Sequence, residues 1–413
     1  MNEARRSLDD GRWRQVAAGA GLLAPDGSVA STIFAEMSAL ATRTGAINLG
    51  QGFPDVDGPE HIKEAAVAAI RAGDNQYPPG AGRRELCLAV AQHQDRHYGL
   101  SVDPETEVLV TAGATEALAA TLLALAGPGD EVVTLEPYYD AYAALVALSG
   151  ATHRTVPLRP TPTGFRVDPV DVRAAVGPRT RVILVNSPHN PTGTVLSRDE
   201  LSVLAAAAQE HDALVVTDEV YEHLTYDGAE HVPMATLPGM AERTLTISSA
   251  GKSLSFTGWK VGWLHGPAEL VVAVRTVKQY LTYVTAAPFQ PAVAVALADE
   301  DGRTGEYFTD LAGSLARRRD LLCAGLEAAG LAPVTPRGTY FVVADGAALG
   351  YDDGVELCRE LPDLAGVVAI PVSAFCAPAG QGAGALRSYV RFTFVKSEDV
   401  LTEAAGRLAR LRR

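Results

Sequence analysis

Four polar segments of this 413-residue chain carry side chains suited to chemistry, and each follows a short apolar run. Asn186-Ser187-Pro188-His189-Asn190-Pro191-Thr192-Gly193 follows the run ending at Val185, and Asp218-Glu219-Val220-Tyr221 follows the run ending at Thr217. Ser249-Ala250-Gly251-Lys252 follows Thr244–Ser248, and Ala112-Gly113-Ala114-Thr115 follows Val108–Thr111. A lysine amine can form an imine with an aldehyde. A buried carboxylate can keep a ring nitrogen protonated and make that ring an electron sink. An amide and a phenol can hold a phenolic oxygen as an anion. A helix beginning at Gly113-Ala114-Thr115 can receive a phosphate on its free N–H groups. Together these meet the needs of a pyridine-aldehyde cofactor. Singly they say little: a lysine after a strand is ordinarily solvated, an aspartate there an N-cap, and Asn-Pro-Thr-Gly a turn. What carries weight is their joint occurrence, in order, at successive strand ends.

The elements that must position these residues follow from the same pattern. Near-continuous apolar strands alternating with helices (residues 59–72, 114–126 and about 198–210) predict a mostly parallel sheet buried on both faces. This is a doubly wound α/β layer over residues 60–295. Ligands bind beyond the carboxyl ends of such strands, so the four ends should open on one edge. After Pro288 the pattern changes. A helical stretch over about 289–329 leads into short strands at 340–343, 367–370 and 389–394. These predict a smaller α+β domain formed by residues 29–59 and 296–413. Residues 1–28 read as a mixed-charge extension, either poorly ordered or a short helix lying on a partner. Pro378 to Ala385 reads as a mobile surface loop.

Composition narrows the partners. A net charge of −14 and a pI near 5.1 argue against nucleic acid and anionic membranes, which select basic surfaces. Cys87, Cys323, Cys358 and Cys376 are scattered without a CxxC pair, so no metal is expected, and reduced thiols in a cytoplasmic protein are. No stretch reaches the roughly 18 uncharged apolar residues of a membrane span. Ala112-Gly113-Ala114-Thr115-Glu116-Ala117 lacks the GxGxxG of a dinucleotide-binding dehydrogenase.

The segment Ser249-Ala250-Gly251-Lys252 with Thr257-Gly258-Trp259-Lys260-Val261-Gly262-Trp263 resembles the lysine segment of class I, fold-type I aminotransferases of the kynurenine and glutamine branch. So do Asn190-Pro191-Thr192-Gly193, Asp218-Glu219-Val220-Tyr221, Gly50-Gln51-Gly52-Phe53-Pro54-Asp55 and Asn75-Gln76-Tyr77. The likeness runs from about Ser31 to the C-terminus. It implies pyridoxal 5'-phosphate as cofactor, with Lys252 as its covalent anchor and proton shuttle. It implies Asp218 at the pyridine nitrogen, Asn190 and Tyr221 at the phenolic oxygen, and Tyr139 stacked on the ring. The phosphate falls to Ala114, Thr115, Ser249 and Lys260, with Tyr77 reaching it from the neighbouring subunit of a homodimer. Arg391 binds the substrate carboxylate as a bidentate fork, with Gly52 behind it. Lys260 stands where many relatives carry arginine, and supplies the charge without the planar fork. Tyr139 stands where others carry Trp or Phe.

Further segments resemble the N-succinyldiaminopimelate aminotransferases of actinobacteria. They are Phe34–Thr42, Lys278-Gln279-Tyr280-Leu281, Ala287–Pro291 and Ala369–Cys376. This implies an amino group moved from glutamate to N-succinyl-2-amino-6-oxopimelate by ping-pong kinetics. Kynurenine or glutamine transamination and cysteine-conjugate β-elimination are the alternatives within the branch. Side-chain recognition would rest on loops near Phe53, Tyr280 and Tyr283.

Overall fold

The computed structural model describes residues 11–24, 26–161, 163–377 and 380–411. Its centre is an eight-stranded sheet in the order Val108–Thr111, Gly262–His265, Thr244–Ser249, Leu214–Asp218, Thr180–Asn186, Glu131–Glu136, Thr152–Thr161, Gly164–Val167. The inner strands are buried along nearly their whole length, and apolar side chains such as Val133, Ile183, Leu184, Val185 and Ile247 pack in the clusters between sheet and helices, as a parallel layer requires. Three strands of this sheet lie outside the sequence pattern: Thr152–Thr161, Gly164–Val167 and Gly262–His265. The first continues the parallel layer, while the other two run antiparallel to their neighbours.

Beside this layer lies a four-stranded antiparallel sheet of Ala332–Val334, Phe341–Asp345, Tyr389–Thr393 and Ile370–Pro371. The N-terminal strand Ile47–Asn48 pairs in parallel with Val367–Val368, which draws residues near 47 to the C-terminal part of the chain. One apolar cluster runs through both regions, from Met37 and Leu49 through Tyr221 and Leu224 to Phe341 and Phe392.

The structure corrects several expectations. The single helical stretch over 289–329 is two helices, Phe289–Ala298 and Arg303–Ala329. Asp299 and Gly302 between them take left-handed backbone, and the Asp299 carboxylate accepts the N–H groups of Thr304 and Gly305 at 2.8 and 3.0 Å. That caps the second helix and separates it from the first. In the N-terminal extension, residues 1–10 lie outside the described residues. Arg12–Gly19 is a helix, and it packs on this chain's own helix Ala141–Ser149, where Gly19 lets the two backbones approach. The stretch expected to be a mobile loop contains the helix Gln381–Ala385, with Pro378 and Ala379 outside the described residues. The buried Glu136 carboxylate holds it, accepting N–H groups from Ala377 at 2.7 Å and Gly382 at 2.8 Å. Among the described residues no helix is long and apolar enough to cross a membrane.

Candidate active site

Strand register brings the expected residues to one sheet edge. Asn186 lies opposite Asp218, while Thr111 and Ser249 both lie opposite Gly262. The crevice beyond these ends is lined by Gly113, Ala114, Thr115, Tyr139, Asn190, Asp218, Tyr221, Ser249, Lys252 and Lys260. Two patches of chemistry face each other across it, one anionic and one cationic.

Asp218 forms the floor. Its Oδ2 accepts the Tyr142 hydroxyl at 2.7 Å, and its Oδ1 accepts the Val220 N–H at 3.4 Å. Burial pushes the Asp218 carboxyl upward, and the Tyr142 and Val220 donors and the Lys252 ammonium only partly offset this. A protonated ring nitrogen against this carboxylate would supply the missing cation. Asn186 braces the floor: its amide nitrogen donates to the Asp218 carbonyl at 2.7 Å, and its amide oxygen accepts the Asn190 N–H at 2.7 Å.

Lys252 sits in the one-turn helix Ala250–Ser253, directly after its strand. Its Nζ lies 5.8 Å from the ring centres of both Tyr221 and Tyr340. Burial lowers its ammonium pKa, but the Tyr340 and Tyr139 phenols and Asp218 outweigh burial, and the net direction is upward. Tyr139 is joined to Thr115 by a side-chain hydrogen bond; burial raises its phenol pKa, with Asp140 adding to it.

The opposite end is built for an anion. The helix Gly113–Leu125 starts here, and its first-turn N–H groups have no acceptors within the helix. The Lys260 ammonium lies over that turn, 3.1 Å from where a Gly113 Cβ would be. The hydroxyls of Ser249 and Thr115 line the same end. Gly262 is required here: a Cβ on it would lie 2.5 Å from the Gly113 carbonyl carbon and 2.7 Å from the Ala114 nitrogen. The fit is that of a phosphate with a planar, basic ring reaching from it towards Asp218.

Arg391 approaches from the smaller sheet. It is 3% exposed. Its guanidinium is sandwiched between the rings of Phe341 and Phe375, 4.1 and 4.5 Å from their centres. It donates to the Asn190 amide oxygen at 3.2 Å and the Gly50 carbonyl at 2.8 Å. Its Nε is buried with no partner, and among the described residues no carboxylate forms an ion pair with it. Burial drops its pKa to about 10. Buried charges are normally paired, so this one lacks its counter-ion.

Some expected residues stand elsewhere. Gly50, rather than Gly52, touches Arg391; the Gly52 carbonyl instead accepts the Tyr340 hydroxyl at 2.8 Å. Tyr77 is 83% exposed, edge-on to Tyr283, and does not line this crevice. Phe53, Tyr280 and Tyr283 are exposed. Tyr142, Asn186 and Tyr340 also belong to the site, although the sequence assigns them no role. Tyr142 and Tyr340 are embedded in ordinary helix and strand patterns. Asn186 is the first residue past the apolar run ending at Val185.

Residues 44–408 match the family model for class I and II aminotransferases. The curated protein named "Probable N-succinyldiaminopimelate aminotransferase DapC" of Mycobacterium tuberculosis is 56% identical over 384 residues, 92% of this chain and 96% of that protein. The solved N-succinyldiaminopimelate aminotransferase from Mycobacterium tuberculosis superposes with a TM-score of 0.88 at 55% identity, covering 92% of this chain and 97% of that one. The methionine aminotransferase of Escherichia coli is 40% identical over 92% of this chain and 96% of its own length. The shared fold is that of fold-type I aminotransferases. By its sequence and by its fold, this chain belongs to the class I and II aminotransferase family.

Proposed function

We propose that this aminotransferase uses pyridoxal 5'-phosphate anchored on Lys252, takes its amino group from glutamate, and delivers it to N-succinyl-2-amino-6-oxopimelate. The observation that carries this reading is the buried Arg391 guanidinium, without a carboxylate, bonded to Asn190 in the wall of the crevice that holds Lys252 and Asp218. An amino acid and a 2-oxo acid each bring the carboxylate it lacks. When bound, the cofactor supplies an aldehyde for the amine and an electron sink for the charge left when the Cα–H bond breaks.

This chain's residues do the rest. Arg391 fixes the substrate carboxylate and so points Cα towards Lys252. The Lys252 amine removes the α-proton and redelivers it, first as base and then as acid. Asp218, with the Tyr142 hydroxyl donating to it, would keep a proton on the ring nitrogen. Asn190 and Tyr221 hold the phenolic oxygen, and Tyr139 covers the ring. Ala114, Thr115, Ser249 and Lys260 take the phosphate. Residues 60–295 form the cofactor-binding domain, and residues 29–59 with 296–413 the smaller one.

The likeness to the mycobacterial enzyme supports the acceptor. The exposed apolar side chains of Tyr77, Tyr280, Leu281 and Tyr283 support a homodimer in which Tyr77 completes the neighbour's phosphate site. Four buried free thiols support a cytoplasmic setting. The test is a spectrum and a substrate panel. The yellow holoenzyme should convert to the amine form with glutamate, releasing 2-oxoglutarate, and return with the N-succinyl oxo acid. Lys252→Ala should not turn over. Pyruvate and ammonia from a β-substituted amino acid, with no amine form, would make the enzyme a lyase instead.

A further inference from the structure

Behind the Asp218–Tyr221 segment lies a group of side chains that the proposed reaction does not use. The helix Arg84–Tyr98 places His93 and His97 four residues apart, on one face. His223, two residues beyond Tyr221, meets them. One imidazole nitrogen from each of the three lies within 4.8 Å of the others. The ring centres of His93 and His97 are 4.5 Å apart, and His223 lies 5.0 and 5.1 Å from them.

Two details distinguish this from ring packing. The Nε2 atoms of His93 and His223 face each other at 2.8 Å, so without a third party one must carry a proton to donate to the other. Gln94 is 1% exposed and lies on the other side of His93, where its amide nitrogen meets Nδ1 at 3.3 Å; its amide oxygen is buried with no partner. Turning that amide over puts the orphan oxygen on an Nδ1–H. The His93 Nε2 lone pair is then free, in the arrangement that orients metal-binding histidines.

We propose that His93, His97 and His223 form a binding site for a divalent transition ion, Zn2+ above all, with a fourth position open to solvent. Three imidazoles without a carboxylate or thiolate suit Zn2+ and its neighbours rather than Mg2+ or Ca2+. Ligand nitrogens about 2.0–2.1 Å from a tetrahedral ion stand about 3.3 Å apart. His93 and His223 are slightly closer than that, and the exposed His97 has freedom to swing inward. Burial, with the neighbouring cationic Arg96, disfavours the imidazolium at all three, which leaves them in the form that binds metal. His223 belongs to the segment that carries Asp218 and Tyr221, so the ion would tie that segment to the Arg84–Tyr98 helix.

The test uses untagged, chelator-stripped holoenzyme and its His97→Ala variant, chosen because His97 is exposed and its loss leaves the core intact. Equilibrium dialysis should find one Zn2+ per chain in the wild type and at least tenfold weaker binding in the variant. Saturating Zn2+ should raise the wild-type Tm by about 3 °C or more and the variant's by clearly less. Co2+ should give the visible bands of a four-coordinate site in the wild type alone. Absence of Zn2+ binding, or equal binding by wild type and variant, would overturn the proposal. These readouts need no turnover, so they stand or fall apart from the identity of the amino acceptor.

Discussion

Arg391 and Asp218 are opposite solutions to one problem, a charge held where water cannot reach it. Burial raises the Asp218 pKa, and two donors and the nearby Lys252 ammonium partly offset it. Arg391 keeps its charge between two aromatic faces, with one donor left over. Two predictions belong at this scale. Tyr142→Phe removes the shorter hydrogen bond to Asp218, worth about 1.5–3 kcal/mol for a charged acceptor. The Asp218 pKa should rise further and the ring nitrogen lose its proton more easily. Turnover should drop by about tenfold or more, while the variant still binds the cofactor; stopped-flow absorbance separates the two. Arg391→Lys retains a cation but loses the fork. The KM for both amino and oxo acids should rise by about tenfold or more, with thermal stability little changed. Unaltered steady-state KM values would remove Arg391 from substrate binding.

Elements place these residues through register and close approach rather than through propensity. Gly262 is the clearest case, because its strand presses on the first turn of the helix that begins at Gly113. A methyl group there meets backbone, which cannot rotate away. Gly262→Ala should therefore push the Gly113–Ala114 turn out of position and weaken cofactor binding by about tenfold, with a stability loss of about 1–3 kcal/mol from overpacking. Cofactor titration followed by absorbance, alongside urea unfolding, reads both. Glu136 works at the same scale, since its two backbone acceptor bonds convert what reads as a glycine-rich loop into an ordered helix. The composition Gly380-Gln381-Gly382-Ala383-Gly384 gives no hint of this, because its partner lies 246 residues away in sequence.

For the molecule as a whole, burial fixes the acid limit of stability. His153, His189 and His265 are held neutral by burial, with pKa values near 4, 3 and 4 against an ordinary 6.5. Such a histidine binds its proton more tightly when unfolded. Their contribution to stability is therefore complete above pH 6.5 and is lost as pH falls from there towards about 3 to 4. The Tm should decline across that window. His153→Gln, which can still bond Thr134 as His153 does at 2.8 Å, should flatten the slope. A slope identical to wild type would mean that His153 is also protonated in the folded state.

The sequence alone determined the doubly wound layer, the order of its strands' polar ends, and the residues Lys252, Asp218, Asn190, Tyr221 and Arg391 as candidates. Those features are local: an apolar run buried on both faces and the polar segment after it are read within about ten residues. Tertiary structure decided what depends on distant partners. It revealed Tyr142 under Asp218, Asn186 between two site segments, Gly50 in place of Gly52 at Arg391, the break at Asp299, and the meeting of His93 and His97 with His223. A helix or strand residue looks the same in sequence whether it packs in a core or donates to a carboxylate 76 residues away, because what separates the two is the neighbour that folding brings.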